Sequence, residues 1–356
     1  VSPLEKYREM RDFGATPEPS GDEIVPVAEG ERPRFVVQEH HATALHWDLR
    51  LERDGVLVSW AVPKGIPPDP RENHLAVHTE DHPLMYLDFH GQIPEGSYGA
   101  GTMTVWDTGT YEPEKWTDRE VIATFHGEKV QGRYVLFQTR GKQWMIHRMD
   151  PPADPDRELM PHGLRPMMGT GGELPADEEG WGFEVDWNGA RAVLGSDGGR
   201  VEINGGDGEE LLPLAPEMRA LGLALGSLPV VLDGDLIAFG ADGRPDAERL
   251  ARRLAAKSDG AARRLTTSVP LTYVISDLLW MDGHSAVDLG YQERRALLDG
   301  LELAGPNWQV PAWHEGDGAA LLDAVRAQGL TGVVAKRLDS RYRPGETTTD
   351  WVRVGA

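Results

Sequence analysis

Between Gln38 and Glu52 the chain reads Gln38-Glu39-His40-His41-Ala42-Thr43-Ala44-Leu45-His46-Trp47-Asp48-Leu49-Arg50-Leu51-Glu52. These residue types can do chemistry together. Neutral imidazoles and a carboxylate bind a divalent cation, and a guanidinium grips phosphate or carboxylate through two parallel N–H groups. His40, His46 and Asp48 are therefore candidate metal ligands, and Arg50 a candidate anion contact. Two imidazoles and one carboxylate leave coordination positions open for water and substrate. Lys64, in Pro63-Lys64-Gly65, offers an ammonium. His82 and Tyr86, in Glu80-Asp81-His82-Pro83-Leu84-Met85-Tyr86, offer a general acid or phosphate contact and a hydrogen-bond donor. At this level the site stays open between two chemistries. His46-x-Asp48 with a distant histidine is also the facial triad of non-haem iron oxygenases.

These residues need a strand to align them. From Leu45 onward apolar and polar residues alternate, so Leu45, Trp47, Leu49 and Leu51 are expected to face a core. His46, Asp48, Arg50 and Glu52 would share the other face. Arg53-Asp54-Gly55 is a hairpin turn into a strand over Val56–Val62. Leu75–Thr79, Gly101–Trp106, Val121–Phe125, Gly132–Thr139 and Gln143–Arg148 read as further strands, giving a compact barrel or sandwich over residues 1–150. A short helix is expected over Leu4–Arg11, and Tyr98, in a glycine-rich turn, reads as structural. The proline-rich acidic run from Asp150 opens a linker over 151–164. Beyond it, over 165–356, strands such as Gly182–Asp186, Val230–Gly234 and Leu271–Ile275 alternate with helices at Asp246–Ala256, Tyr291–Glu302 and Gly318–Gln328. The fold class expected is α+β.

The 356 residues suffice for two cores. Absence of cysteine excludes disulfides, thiolate ligands and cysteine nucleophiles, and fits a reducing cytoplasm. No apolar run reaches membrane-spanning length and the charged N-terminus lacks a signal-peptide core, so a cytoplasmic protein without membrane contact is expected. The net charge of −22 argues against broad adhesion to nucleic acid and leaves room only for a local basic groove. Its plain meaning is solubility. Glu248–Arg264 carries six basic residues, either a docking strip or an ordinary solvated helix face.

Residues 4–148 closely resemble the 3′-phosphoesterase module of bacterial ligase D. The resemblance runs through Tyr7, Arg11-Asp12-Phe13, Thr16-Pro17-Glu18-Pro19, His40 to Glu52, Ser59 to Gly65, Glu80 to Pro83, Tyr86 and Ile93-Pro94-Glu95-Gly96. It implies a small β-barrel enzyme that uses manganese to trim DNA 3′ ends, removing a 3′-phosphate or a 3′-terminal ribonucleotide. By motif, His40, His46 and Asp48 become the metal site, and Arg50, His82 and Tyr86 surround the scissile phosphate. Arg11, Asp12, Glu18, Glu80 and Lys64 become an accessory set that places the DNA end. Two positions depart: His74 stands where arginine is expected and His90 where glutamate is usual. Histidine replaces a fixed phosphate clamp only in part.

Residues 165–354 resemble the adenylating domain of ATP-dependent DNA ligases, through Trp181 to Arg191, Leu232 to Asp235, Tyr273 to Leu279, Gly332 to Arg343, and Trp351. Family members carry a nucleophilic lysine in Glu-Val-Lys-Trp-Asp-Gly-x-Arg. Here the run is Glu184-Val185-Asp186-Trp187-Asn188-Gly189-Ala190-Arg191, with Asp186 at the lysine position. A carboxylate supplies no amine for a phosphoramidate. Gly206, Ser276, Thr331, Thr347 and Arg353 replace an arginine, an adenine-stacking aromatic, a glutamate, an arginine and a lysine, while Arg191 and Lys336 remain. A nucleotidyltransferase-like domain that does not use ATP is expected, without an OB domain, since the chain stops at Ala356. The resemblance makes DNA 3′ ends the partner, with Ku or a separate polymerase or ligase as further candidates. The rival reading is a repair scaffold in which both halves bind and neither reacts.

Overall fold

The structure, a computed structural model, describes residues 4–21 and 30–355. Contacts divide the chain into two compact units, Val1–Pro155 and Asp156–Ala356. The division falls inside the expected linker. Met160 and Leu164 pack against the second unit's Met167, Val193 and Trp280, so that part of the run is anchored rather than spanning.

In the first unit a short helix α1 (Glu5–Glu9) precedes nine strands: β1 (Arg34–His41), β2 (Leu45–Arg53), β3 (Val56–Val62), β4 (Asn73–His78), β5 (Gly91–Ile93), β6 (Gly101–Thr117), β7 (Glu120–Gly127), β8 (Gln131–Arg140) and β9 (Gln143–Arg148). They run in the order β1-β2-β3-β4-β9-β8-β7-β6-β5, and β1 also pairs with β6. That pairing closes eight antiparallel strands into a barrel, leaving only β5 outside. The β2–β3 turn is built as expected, with Asp54 and Gly55 at φ 50° and 81°.

Alternation splits β1 and β2 between two cores. Phe35, Val37, Leu45, Trp47, Leu49 and Leu51 fill the barrel interior with Trp60, Tyr111, Phe125 and Trp144. The opposite face is not given to solvent. Val36 lies there with Leu4 and Tyr7 at the N-terminus, Leu84, Tyr86 and Leu87 of a 3₁₀ turn, Ile93 of β5 and Met103 of β6. This second small core roofs the polar row.

β6 runs 17 residues rather than the six expected. Asp107, Gly109 and Pro113 hide its second half from a reading by alternation. Buried Asp107 accepts N–H groups from Thr108, Glu128, Lys129 and Val130 at 2.7–3.1 Å, stitching β6 to the β7–β8 connection.

The second unit is α+β. One sheet is built on strands Trp181–Val185, Gly332–Arg337 and Thr347–Gly355, and another on Ala190–Asp197, Val230–Ala238 and Leu271–Met281. Helices Met218–Leu225, Ala247–Leu254, Tyr291–Asp299 and Gly318–Ala327 accompany them. Of the two readings of Glu248–Arg264, the structure favours the ordinary helix face, with one residue turned inward. Arg253 is wholly buried against Glu217 at 2.8 Å, Arg249 donates to the Ser268 carbonyl, and Arg263 pairs with Asp259. Among the described residues no helix is long and apolar enough to cross a membrane.

Candidate active site

Antiparallel register assembles the site. His40 lies opposite His46, and Gln38 opposite Asp48. On the other side of β2, Arg50 lies opposite Ser59 and Asp48 opposite Ala61. The polar row thus extends across three strands. One ligand atom from each of His40, His46 and Asp48 lies within 4.8 Å of the others. Among the described residues no other group of three or more His, Cys, Asp or Glu converges in this way.

The donor set fits a divalent cation. His46 Nδ1 hydrogen-bonds the Ala44 carbonyl at 3.0 Å, fixing the tautomer and leaving Nε2, 3.7 Å from Asp48 Oδ1, with its lone pair. His40 Nδ1 is 3.6 Å from Asp48 Oδ2, and its Nε2 is buried without a hydrogen-bond partner. An unpartnered buried imidazole nitrogen beside a second imidazole and a carboxylate is a donor set suited to a divalent cation. Burial alone would push the Asp48 carboxyl up. The Arg50 guanidinium and both imidazoles outweigh it and hold Asp48 well below the usual carboxylate range, ionised and ready to ligate.

Arg50 is pre-set. Its Nε donates to Gln38 Oε1 at 2.7 Å, one terminal nitrogen to Ser59 Oγ at 3.1 Å, and the other to Asp48 Oδ2 at 2.9 Å. Three of five N–H groups are used, so two remain for an incoming anion. Its guanidinium lies 4.9 Å from the centre of the Tyr86 ring. Gln38 in turn donates to the carbonyls of Tyr86 and Phe89, tying β1 to the 3₁₀ turn. Sequence reasoning missed Gln38 and Ser59. Strand parity could have found them, because Gln38 shares a face with His40.

A second buried network adjoins this one. Arg11 donates to Glu18 at 2.6 Å, Glu80 at 3.1 Å and the Tyr7 carbonyl, and sits 3.2 Å from His82 Nε2. His82 Nδ1 faces the Glu80 carbonyl at 2.9 Å, so Nδ1 carries the proton and Nε2 accepts from Arg11. Burial, then Arg50 and Arg11, push the His82 imidazole well below its ordinary range, and it stays neutral. The Tyr86 hydroxyl donates to Glu18. In this state the Tyr86 ring lies against Arg50 and its hydroxyl closes the Glu18 network.

Other expected residues lie apart. Asp12 is exposed and accepts the Gly14 N–H at 3.0 Å, shaping a turn. Lys64 is half-buried in the turn after β3, at the end of the β2–β3 pair nearer His46. His74 is buried and hydrogen-bonds the Gly65 carbonyl at 2.7 Å, so it braces the Lys64 turn instead of clamping phosphate. His90 is exposed beside the Asp88 carbonyl. Tyr98, read as structural, is 47% exposed with its hydroxyl 3.5 Å from Glu80.

The second unit holds a cavity of about 340 Å³, lined among others by Glu184, Asp186, Arg191, Ser276, Lys336, Trp351 and Arg353. Arg353 grips the Asp186 carboxylate at 2.9 and 3.2 Å. Lys336 lies 2.7 Å from Glu184, whose carboxyl burial would raise but Lys336 and Arg295 hold low. Arg191 pairs with Asp233 and Asp235. Burial pushes Asp233 up to about 6 despite that partner.

Residues 38–138 match the DNA Ligase D 3′-phosphoesterase domain, and residues 174–354 match the ATP dependent DNA ligase domain. The multifunctional non-homologous end joining protein LigD of Mycolicibacterium smegmatis is 42% identical over 98% of this chain and 45% of its own length. That of Pseudomonas aeruginosa is 35% identical over 99% and 47%. This chain therefore spans about half the length of the curated relatives it matches. A solved mycobacterial DNA ligase D complexed with ATP and MES is 31% identical over 55% of this chain and 62% of its own, with a TM-score of 0.47. With both domain models matched in order, the chain belongs to the ligase D family, joining a 3′-phosphoesterase domain to an ATP-dependent DNA ligase domain.

Proposed function

We propose that the first unit is a manganese-dependent phosphoesterase that removes a 3′-phosphate or a 3′-terminal ribonucleotide from DNA ends in repair or end joining. The observation that carries this reading is the meeting of three ligand atoms within 4.8 Å with a pre-set Arg50 that keeps two donors open. His40, His46 and Asp48 would hold the cation, which when bound polarises a phosphoryl oxygen and acidifies water. Arg50 neutralises phosphate charge in a buried setting where such donors count most. His82, neutral with a lone pair on Nε2, suits contact with a protonated phosphate oxygen or acceptance of a proton, rather than donation from the resting state. Lys64 supplies a further cation at the His46 end. Arg11, Glu18 and Glu80 form a buried accessory network that helps place the DNA end, with Asp12 at its outer turn. Ku and separate polymerase or ligase proteins are the partners proposed at those ends, in the cytoplasm.

The decisive experiment is a labelled primer–template with a 3′-phosphate or one 3′-ribonucleotide, incubated with manganese. Release by the wild type and none after His46→Ala is expected. No release by the wild type would leave the repair-scaffold reading standing, and oxidative turnover with ferrous iron would move the site to oxygenase chemistry.

The second unit, in this reading, forms no lysyl-AMP and is a pseudo-ligase. Asp186 occupies the nucleophile position and is engaged by Arg353, and a carboxylate cannot form the phosphoramidate. The cavity cations Arg191, Arg295, Lys336 and Arg353 each face a carboxylate, which leaves the phosphates of ATP poorly matched. ATP labelled at the α-phosphate should leave the protein unlabelled; covalent transfer would overturn this part.

A further inference from the structure

Three of the four aromatic rings around the Arg11–Glu80–His82 network are buried: Tyr7, Tyr86 and the His82 imidazole are at most 3% exposed. Tyr98 differs, with nearly half of its surface open. Its setting is nonetheless fixed. The loop that carries it closes between Ile93 of β5 and Gly101 of β6, which are paired. Two internal turns, Ser97 N–H to the Pro94 carbonyl and Ala100 N–H to the Ser97 carbonyl, brace it. At its end Gly101 abuts the metal-site histidine, since a Cβ there would lie 3.0 Å from His40 Nε2. The Tyr98 hydroxyl reaches Glu80, and the Arg11 guanidinium lies 5.3 Å from the ring centre.

A large ring tethered at its hydroxyl and open to solvent, at the rim of a phosphate-binding centre, has the form of a stacking platform. Every nucleobase has a π-face, so such a ring holds an end without reading its sequence. Arg11 and Glu80 are engaged in the network and supply polar contacts, not a surface for a base. We propose that Tyr98 is a positioning residue that stacks on the base of the 3′-terminal nucleotide and so places the scissile phosphate over the His40–His46–Asp48 centre. This rests on the phosphoesterase reading above, and its test is separable from it.

The full chain is titrated with a primer–template whose unpaired 3′-terminal nucleotide carries 2-aminopurine and a 3′-hydroxyl, a product end. Stacking quenches that fluorophore without any turnover. Wild type, Tyr98→Phe and Tyr98→Trp should quench it at saturation, while Tyr98→Ala and Tyr98→Leu should not. On a 3′-phosphate end, Tyr98→Ala should raise KM about tenfold, within the range for losing one base–aromatic stack, with kcat within about twofold. An abasic 3′-terminal nucleotide should give wild type and Tyr98→Ala the same KM. Undiminished quenching by Tyr98→Ala, or a Tyr98→Phe defect as large as that of Tyr98→Ala, overturns the stacking role. Quenching that depends on Tyr98 in a wild type that releases no phosphate would support the platform and sink the phosphoesterase reading. Phosphate release with unchanged quenching in Tyr98→Ala would do the reverse.

Discussion

Arg50 reaches its working position through neighbours that are not themselves ligands. Gln38 holds its Nε and simultaneously pins the 3₁₀ turn that carries Tyr86. Gln38→Ala should therefore leave a buried N–H unsatisfied and let the guanidinium drift. Supporting groups of this kind commonly cost 10–100-fold when removed. A fall of roughly that size in 3′-phosphate release, with manganese affinity by titration changed less than about threefold, is the expected outcome. A loss of metal affinity instead would mean that Gln38 acts through Asp48. His82 gives a different signature at the same scale. Its folded imidazole titrates well below the ordinary 6.5, so below that pH the unfolded chain binds a proton that the folded chain refuses. Stability is full above about pH 6.5 and falls as pH drops toward the depressed value, with a limit of about 1.4 kcal/mol per pH unit for one proton. Asp48 also makes the fold acid-labile, but only once pH falls below its ordinary 3.8. Thermal melts between pH 6.5 and 5 should thus flatten in His82→Gln; an unchanged pH slope would place the titrating group elsewhere.

At the scale of elements, β6 does more for the site than its sequence advertises. It closes the barrel against β1 and brings Gly101 against His40 and His41 of that strand. At φ 146°, a Cβ on Gly101 would sit 2.4 Å from the His41 carbonyl and 3.0 Å from His40 Nε2. Gly101→Ala should cost about 1–3 kcal/mol by strain and displace His40 as well. Melting together with a manganese titration checks this: lower stability with unchanged metal binding would mean that the start of β6 relaxes away from His40. Legibility followed the same divide. The β2 row could be read from alternation alone, and it placed His46, Asp48 and Arg50 on one face. Alternation could not say that this face is roofed, because the roof comes from distant segments, Leu4, Tyr7, the 3₁₀ turn and β5. Nor could it follow β6 past Asp107, whose carboxylate satisfies the backbone of another connection. Within Glu248–Arg264, charge composition likewise does not reveal that Arg253 alone points inward, to Glu217.

For the whole molecule the governing quantity is the net charge of −22 set against the proposed DNA substrate. The guanidiniums nearest His40, His46 and Asp48 are buried and already share their charge, Arg50 with Asp48 and Arg11 with Glu18 and Glu80. Few phosphates can be neutralised, and each contributes about 0.9 to the slope of log affinity against log salt on duplex DNA. Repulsion from the acidic surface acts over the Debye length, about 30 Å at 0.01 M and 8 Å at 0.15 M, so it is strongest where local attraction is also strongest. The two effects oppose each other as salt is lowered. A broadly basic DNA-binding protein gains affinity steadily under those conditions, whereas this chain should show a slope magnitude below about 3, flattening further below about 0.05 M. Anisotropy titrations of a 3′-phosphate primer–template from about 0.02 to about 0.4 M salt measure it directly. A steep slope near 6 would mean that a basic track outside the metal centre carries the DNA. The shallow slope would place recognition in the end itself, gripped by Arg50 and its neighbours.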